Sequence, residues 1–176
     1  MDNPIKELAD VVRSVTEVEH TSEVFANIDR YFTEDAQLIY PILTQIYSRN
    51  GRQNLKAVYQ VSRAFGFGIK IEIHEVMVNK EQTEATIDLT QSVRIRALPV
   101  QSANVVCNFI VRLGLRKSSE DNKYRICRQH DNFPTDLTQS GLPMPNFIRV
   151  INDVIKALAW LYVVAWGRIF MMLGIF

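Results

Sequence analysis

Apolar residues recur every three or four positions through the first third of the chain and every second position through its middle. Ile5, Leu8, Val12 and Val15 share one helical face, opened by Asn3 as N-cap and Pro4 as first helical residue. After Thr21 and Ser22, the spacing of Val24, Phe25, Ile28 and Phe32 predicts a second helix, and Ala36 to Leu43 reads as a strand stopped near Pro41. Asn50-Gly51 marks a turn, beyond which Leu55, Val58, Tyr59 and Phe65 predict a third helix ending at the glycines Gly66 and Gly68.

From Ile69 the period falls to two. Four long strands follow, Ile69 to Val78, Ala85 to Leu98, Ser102 to Arg116 and Lys123 to Phe133, joined as a meander by polar or Pro-containing segments. Alternation assigns the faces: Ala85, Ile87, Leu89, Val105, Cys107, Phe109, Val111 and Leu113 are odd and apolar, whereas Thr86, Asp88, Thr90, Arg94 and Arg96 are even and polar. Pairing odd with odd sets Ile73 near Leu89 and Ile71 near Gln91, which makes Gln91 a polar residue on the apolar face. Three helices followed by a long, twisted antiparallel sheet predict an α+β fold in which the helices cover one sheet face and the sheet curves into a cone-like pocket.

The C-terminal segment differs. Residues 157–176 carry one charge, Arg168, and at about 1.5 Å per residue would extend roughly 30 Å, a bilayer core. Before them, Arg149, Asp153 and Lys156 punctuate Phe147, Ile148, Val150, Ile151, Val154 and Ile155, the pattern of an amphipathic approach helix. Trp160, Tyr162 and Trp166 suit the headgroup level. These patterns divide the chain into an α+β domain over 1–140 and a membrane-associated helix over 141–176, spanning or seated in one leaflet, with the domain on the cytosolic side of the endoplasmic reticulum or a similar membrane. The competing reading packs this helix in a homodimer or over the domain's own cavity.

Composition narrows the function. The 176 residues and 47% apolar content allow one domain with a real core, and a net charge of +1 gives no field that would gather nucleic acid. The start Met-Asp-Asn-Pro-Ile-Lys lacks the pattern of a signal peptide, so a reducing compartment is expected. Cys107 and Cys127 are expected to be reduced core residues that do not oppose one another. No metal-ligand spacing, glycine-rich phosphate loop or dinucleotide fingerprint is present, so no cofactor and no metal are expected.

Asp131 is the leading candidate for chemistry. If the last hairpin keeps the even-sum register, Cys127, Gln129, Asp131 and Phe133 face the pocket with Gln91 and Phe109, placing a carboxyl between amides in an apolar cavity. Burial there would raise its pKa toward a useful general acid or base. Alternatively, Asp131 caps a backbone amide at the strand end or meets Arg128. Gln91 and Gln129 could orient a ligand's carbonyl or hydroxyl. His130 has even parity and lies outside in this register, but a one-residue slip would make it a base. His74 falls opposite Asp88 on the polar face, as an exposed cross-strand pair, and His20 sits in a loop. Tyr31 and Tyr40, near the helix-to-strand turn, are either oxyanion donors or core aromatics.

The segment IDRYFTEDAQLIYP, residues 28–41, followed by a helix, a meander and the late strand KYRICRQHDNF, residues 123–133, resembles the nuclear transport factor 2-like superfamily. The opening MDNPIKEL, the late Gln129-His130-Asp131 and the hydrophobic end resemble more narrowly its fungal SigF-like branch. The resemblance implies a curved sheet closed by helices around a pocket that serves cofactor-free dehydratases, isomerases, polyketide cyclases and epoxide hydrolases, or noncatalytic binding modules. It also favours His before the proline of the first strand, where this chain has Tyr40 before Pro41. The resulting expectation is a membrane-tethered isomerase, dehydratase or cyclase acting on an apolar terpenoid or polyketide. Asp131, His130 and Tyr40 would be its catalytic candidates, and Gln91, Gln129, Tyr31, Phe109 and Phe133 would contact the ligand. The alternatives are a lipid- or partner-binding module and a homodimer built on the sheet.

Overall fold

Asn3 opens α1 (Pro4–Thr16) by accepting from the N–H of Ile5 at 3.1 Å, and Glu7 reciprocates by accepting from the N–H groups of Asp2 and Asn3. The computed structural model describes residues 1–40, 43–96, 104–133 and 145–172, with the backbone alone for Leu43, Phe65, Gly167, Phe170 and Met171. The anticipated strand stop at Pro41, the strand ends near Leu98 and Ser102, and the last four residues of the C-terminal segment lie outside these. The buried face of α1 is Leu8, Val11 and Val15, rotated from the expected stripe so that Ile5 is 59% exposed. A second helix, α2 (Thr21–Tyr31), buries Val24 and Ile28.

Phe32 begins β1 (Phe32–Tyr40) directly, so the strand starts four residues earlier than its apolar content suggested. A two-residue strand, β2 (Leu43–Thr44), pairs with its end, and α3 (Gly51–Phe65) follows. Gln45 clamps this junction, its Nε2 donating to the carbonyls of Ala36 at 2.9 Å and Gly51 at 3.1 Å. Gly51 packs so closely on β1 that a Cβ there would fall onto the Ala36 carbonyl oxygen.

The meander comprises β3 (Gly66–Val78), β4 (Glu84–Ile95), β5 (Asn104–Lys117) and β6 (Tyr124–Asn132). The strand order is β2-β1-β6-β5-β4-β3. The sheet is mixed rather than antiparallel throughout, because β1 lies parallel to β6. The crossover through α3 returns β3 opposite in direction to β1, and three hairpin reversals then bring β6 back to the direction of β1.

Ile73 pairs with Leu89 and Ile71 with Gln91, as the alternation predicts. Alternation predicts Leu113 near Cys127 and Cys107 near Phe133, but the β5–β6 register lies two residues away, with Val111 opposite Asp131 and Leu113 opposite Gln129, which preserves parity. A bulge after Gly114 then changes parity, so that Ile126, 2% exposed, turns inward. Cys127 is therefore not the core residue expected; it lines an outer recess with Arg116 and Arg128. A second bulge places Glu75, not His74, opposite Asp88, and exposed His74 instead shares a 2.7 Å hydrogen bond with Thr90. Leu8, Val24, Ile28, Leu55, Ile87, Leu113 and Ile126 form the centre of the core, each stabilising the fold by about 1.5–3 kcal/mol through burial.

The chain divides into two compact units, Met1–Gly141 and Leu142–Phe176. In the second, α4 (Asn146–Met172) exposes Phe147, Val154, Leu158, Trp160, Leu161, Val163 and Ile169, and the Tyr162 and Trp166 rings meet edge-on at 6.2 Å. The anticipated membrane span is not found: among the described residues no helix is long and apolar enough to cross a membrane. Lys156 and Arg168 bracket residues 157–167, about 16 Å of helix and roughly half a bilayer core.

Candidate functional site

Between the concave sheet face, α1 and α3 lies a cavity of about 580 Å³, of the size that takes a small organic ligand. Leu38, Leu89, Val111 and Leu113 supply much of its apolar wall. Val61 of α3 lines it while remaining 56% exposed, which marks the opening along that helix.

Asp131 faces this cavity and is 8% exposed. The β5–β6 ladder sets it beside Val111, and the pairing of Ile39 with His130 brings Tyr40 to its other flank. Gln129, two residues earlier on the same face, donates through Nε2 to both carboxyl oxygens at 3.0 Å. Burial pushes the Asp131 pKa up to about 7, and the hydrogen bond from Gln129 opposes that rise. At neutral pH the group is thus poised between acid and base. It neither meets Arg128, which pairs with Glu84 across 3.1 Å, nor caps a backbone amide in any hydrogen bond of the described residues.

Burial, the Asp131 charge and Cys107 push the Tyr40 phenol to about 12. It stays a neutral hydrogen-bond donor. Its ring centroid lies 6.0 Å from that of Phe109 and 6.3 Å from that of Phe133, and the two phenylalanines lie 4.7 Å apart. Gln91 and Phe109 line the cavity, with Phe133 packed against Phe109. Cys107 is buried, and burial raises its thiol pKa, which makes it a poor nucleophile.

Two expected site residues lie elsewhere. His130 alternates to the opposite sheet face from Asp131, opposite Arg112, so the one-residue slip that would turn it inward does not occur. Tyr31 ends α2 with the Arg30 guanidinium 5.2 Å from its ring, away from the cavity lining.

The residue that sequence reasoning missed is Tyr59 on α3. The residue is half-buried, and its hydroxyl hydrogen-bonds with the side chains of Gln129 and Thr16. Burial, reinforced by Asp131, pushes its phenol pKa upward. Tyr59 falls within the apolar stripe of its helix, and its spacing from Leu55 carries no signal that the hydroxyl reaches the sheet. Arg63 also lines the cavity, its guanidinium donating to the carbonyls of Thr16 at 2.9 Å and Glu19 at 3.4 Å. Among the described residues no group of three His, Cys, Asp or Glu side chains could hold a metal ion.

Comparison with known structures finds the same fold at low identity. A hypothetical protein with a ketosteroid isomerase-like fold from Catenulispora acidiphila, solved with trimethylamine, superposes with a TM-score of 0.55 at 15% identity, covering 80% of this chain and 98% of its own. A putative scytalone dehydratase from Novosphingobium aromaticivorans gives 0.54 at 15% identity over 74% and 83% of the two chains. An epoxide hydrolase from M. tuberculosis gives 0.53 at 16% identity over 86% and 93%. No curated protein matches the sequence. The model of the SigF NTF2-like domain matches residues 1–175, which carry the cavity and its acid, and the chain belongs to that family.

Proposed function

We propose that the chain is a cofactor-free acid–base catalyst of the isomerase, dehydratase or cyclase class, acting on an apolar small molecule such as a terpenoid or polyketide. The observation that carries this reading is Asp131, a buried carboxyl that faces an apolar cavity with its pKa moved to about 7. Asp131 would give or take the proton, Gln129 would fix its orientation, and Tyr40 would donate to an oxygen that gains negative charge. Similarity of fold to a dehydratase and an epoxide hydrolase is compatible with this class of chemistry but does not select a member of it.

The same reading places the domain at the cytosolic face of a membrane, with α4 lying in one leaflet. Its exposed apolar residues, and charges at Arg149, Lys156 and Arg168 against Asp153, suit an interface better than bulk water. A ligand drawn from the bilayer then becomes the natural occupant of the cavity.

The test is proton exchange. A panel of apolar ketones, tertiary alcohols and epoxides is incubated with the full chain in heavy water and followed by mass spectrometry for deuterium uptake, loss of water or ring closure. Turnover that Asp131→Asn abolishes supports the reading, and turnover unchanged in that variant overturns it. Tight binding without turnover by the native chain favours a noncatalytic lipid-binding module, which the absence of histidine from the cavity lining among the described residues also favours.

A further inference from the structure

Asp131 is buried, yet among the described residues no lysine, arginine or histidine pairs with it; the amide of Gln129 is its hydrogen-bond partner. A buried carboxylate ordinarily has a positive partner, because an isolated one is costly in a low-dielectric site. Arg63, the cationic side chain of the lining, is held to the carbonyls of Thr16 and Glu19 and makes no ion pair with Asp131.

The surroundings of Asp131 are aromatic on one side. Tyr40 flanks it across the β1–β6 pairing, and Phe133, just beyond the end of β6, sets its ring 6.3 Å from that of Tyr40. Phe109 packs on Phe133 and shares the cavity wall with Tyr40. Aromatic faces carry partial negative charge and attract cations, most strongly where water is excluded. A carboxyl without a counter-charge, set beside aromatic rings at the wall of a mostly apolar cavity, has the elements of an ammonium site.

We propose that the corner formed by Asp131, Tyr40 and Phe109 binds the ammonium group of an apolar amine, whose hydrocarbon body fills the rest of the cavity. This deepens the reading of the cavity as a small-molecule site, and rests on it, by naming the chemical class of the ligand. Asp131 supplies the counter-charge, and Tyr40 and Phe109 supply faces to the alkyl groups on nitrogen. The other titratable groups that face the corner, Tyr59 and Cys107, have pKa values raised by burial and stay neutral at pH 8, so they do not compete for the cation.

The experiment compares benzyltrimethylammonium with its uncharged isostere neopentylbenzene by calorimetric titration of the full chain at pH 8, where Asp131 is mostly ionised. The proposal expects the ammonium to bind about 10-fold tighter or more. Asp131→Asn should erase that preference while neopentylbenzene still binds, and Phe109→Leu should reduce it several-fold. Equal or tighter binding of neopentylbenzene to the native chain, or a preference that survives Asp131→Asn, overturns the proposal while leaving the cavity as a small-molecule site. Failure of both probes to bind overturns the proposal and the small-molecule reading together.

Discussion

Gln129 and Asp131 lie two residues apart on one strand, and the amide of the first spans both oxygens of the second at 3.0 Å. That contact favours the charged carboxylate and works against burial, so the side chain that holds the acid also limits how far its pKa rises. Replacing Gln129 with Leu removes the donor and leaves the burial in place. The Asp131 pKa is expected to move above about 7, and a carboxyl-carbon NMR titration of the labelled variant reads it directly. A pKa unchanged or lowered in Gln129→Leu would show that the amide does not set it.

Asp131 also makes stability depend on pH. The ordinary carboxyl value is 3.8 and the folded value is about 7, so the folded state keeps a proton that the unfolded chain has released. The neutral carboxyl's contribution is fully present below the ordinary value and is lost as pH rises from about 4 to about 7. Asp131→Asn, which removes the charge and nearly keeps the shape, should have little effect at pH 4. At pH 8 it should stabilise the protein by up to about 3–4 kcal/mol. Denaturant unfolding at the two pH values checks this, and an Asn variant less stable at pH 8 would contradict it.

Gly51 tests the join between α3 and the sheet. A Cβ at this position meets the Ala36 carbonyl, which is backbone and also accepts from Gln45, so neither partner can step aside easily. Gly51→Ala is expected to destabilise the fold by about 1–3 kcal/mol despite the better helix propensity of alanine. A melting temperature equal to that of the native chain would mean that α3 shifts without cost.

The arrangement of α4 leads to a prediction about membranes. The full chain should float with vesicles containing anionic phospholipid, and the pair Leu158→Glu and Leu161→Glu, both at exposed positions, should abolish flotation without altering the unfolding of the α+β unit. Flotation unchanged by the two glutamates would remove α4 as the means of attachment.

Periodicity revealed the α+β class, the first three helices and the meander, because alternation along β4 and β5 is nearly unbroken and one face of each is buried. It also put Asp131, Gln129 and Gln91 on the same face, since a two-residue error in the β5–β6 register leaves parity intact. It could not show the parallel seam between β1 and β6, which depends on a crossover rather than a local pattern. Nor could it show the bulges at His74 and Gly114, each the insertion of one residue with no composition of its own. Tyr59 was hidden for a different reason: helical spacing tells which way a ring points, but not whether its hydroxyl finds Gln129.

The bulge after Gly114 separates β6 into two stretches of opposite phase. Upstream, Ile126 plugs the base of the core and Cys127 looks outward; downstream, Gln129 and Asp131 look inward on the ladder with Leu113 and Val111. Such a phase break insulates the acid from the hairpin that precedes it. Insertions or losses in the turn over 118–123 can be absorbed where the ladder is already irregular, without rotating Asp131 out of the cavity. The supporting end of the strand is therefore free to drift in length while its chemical end stays fixed, which lets a lineage remodel that turn and keep the same acid.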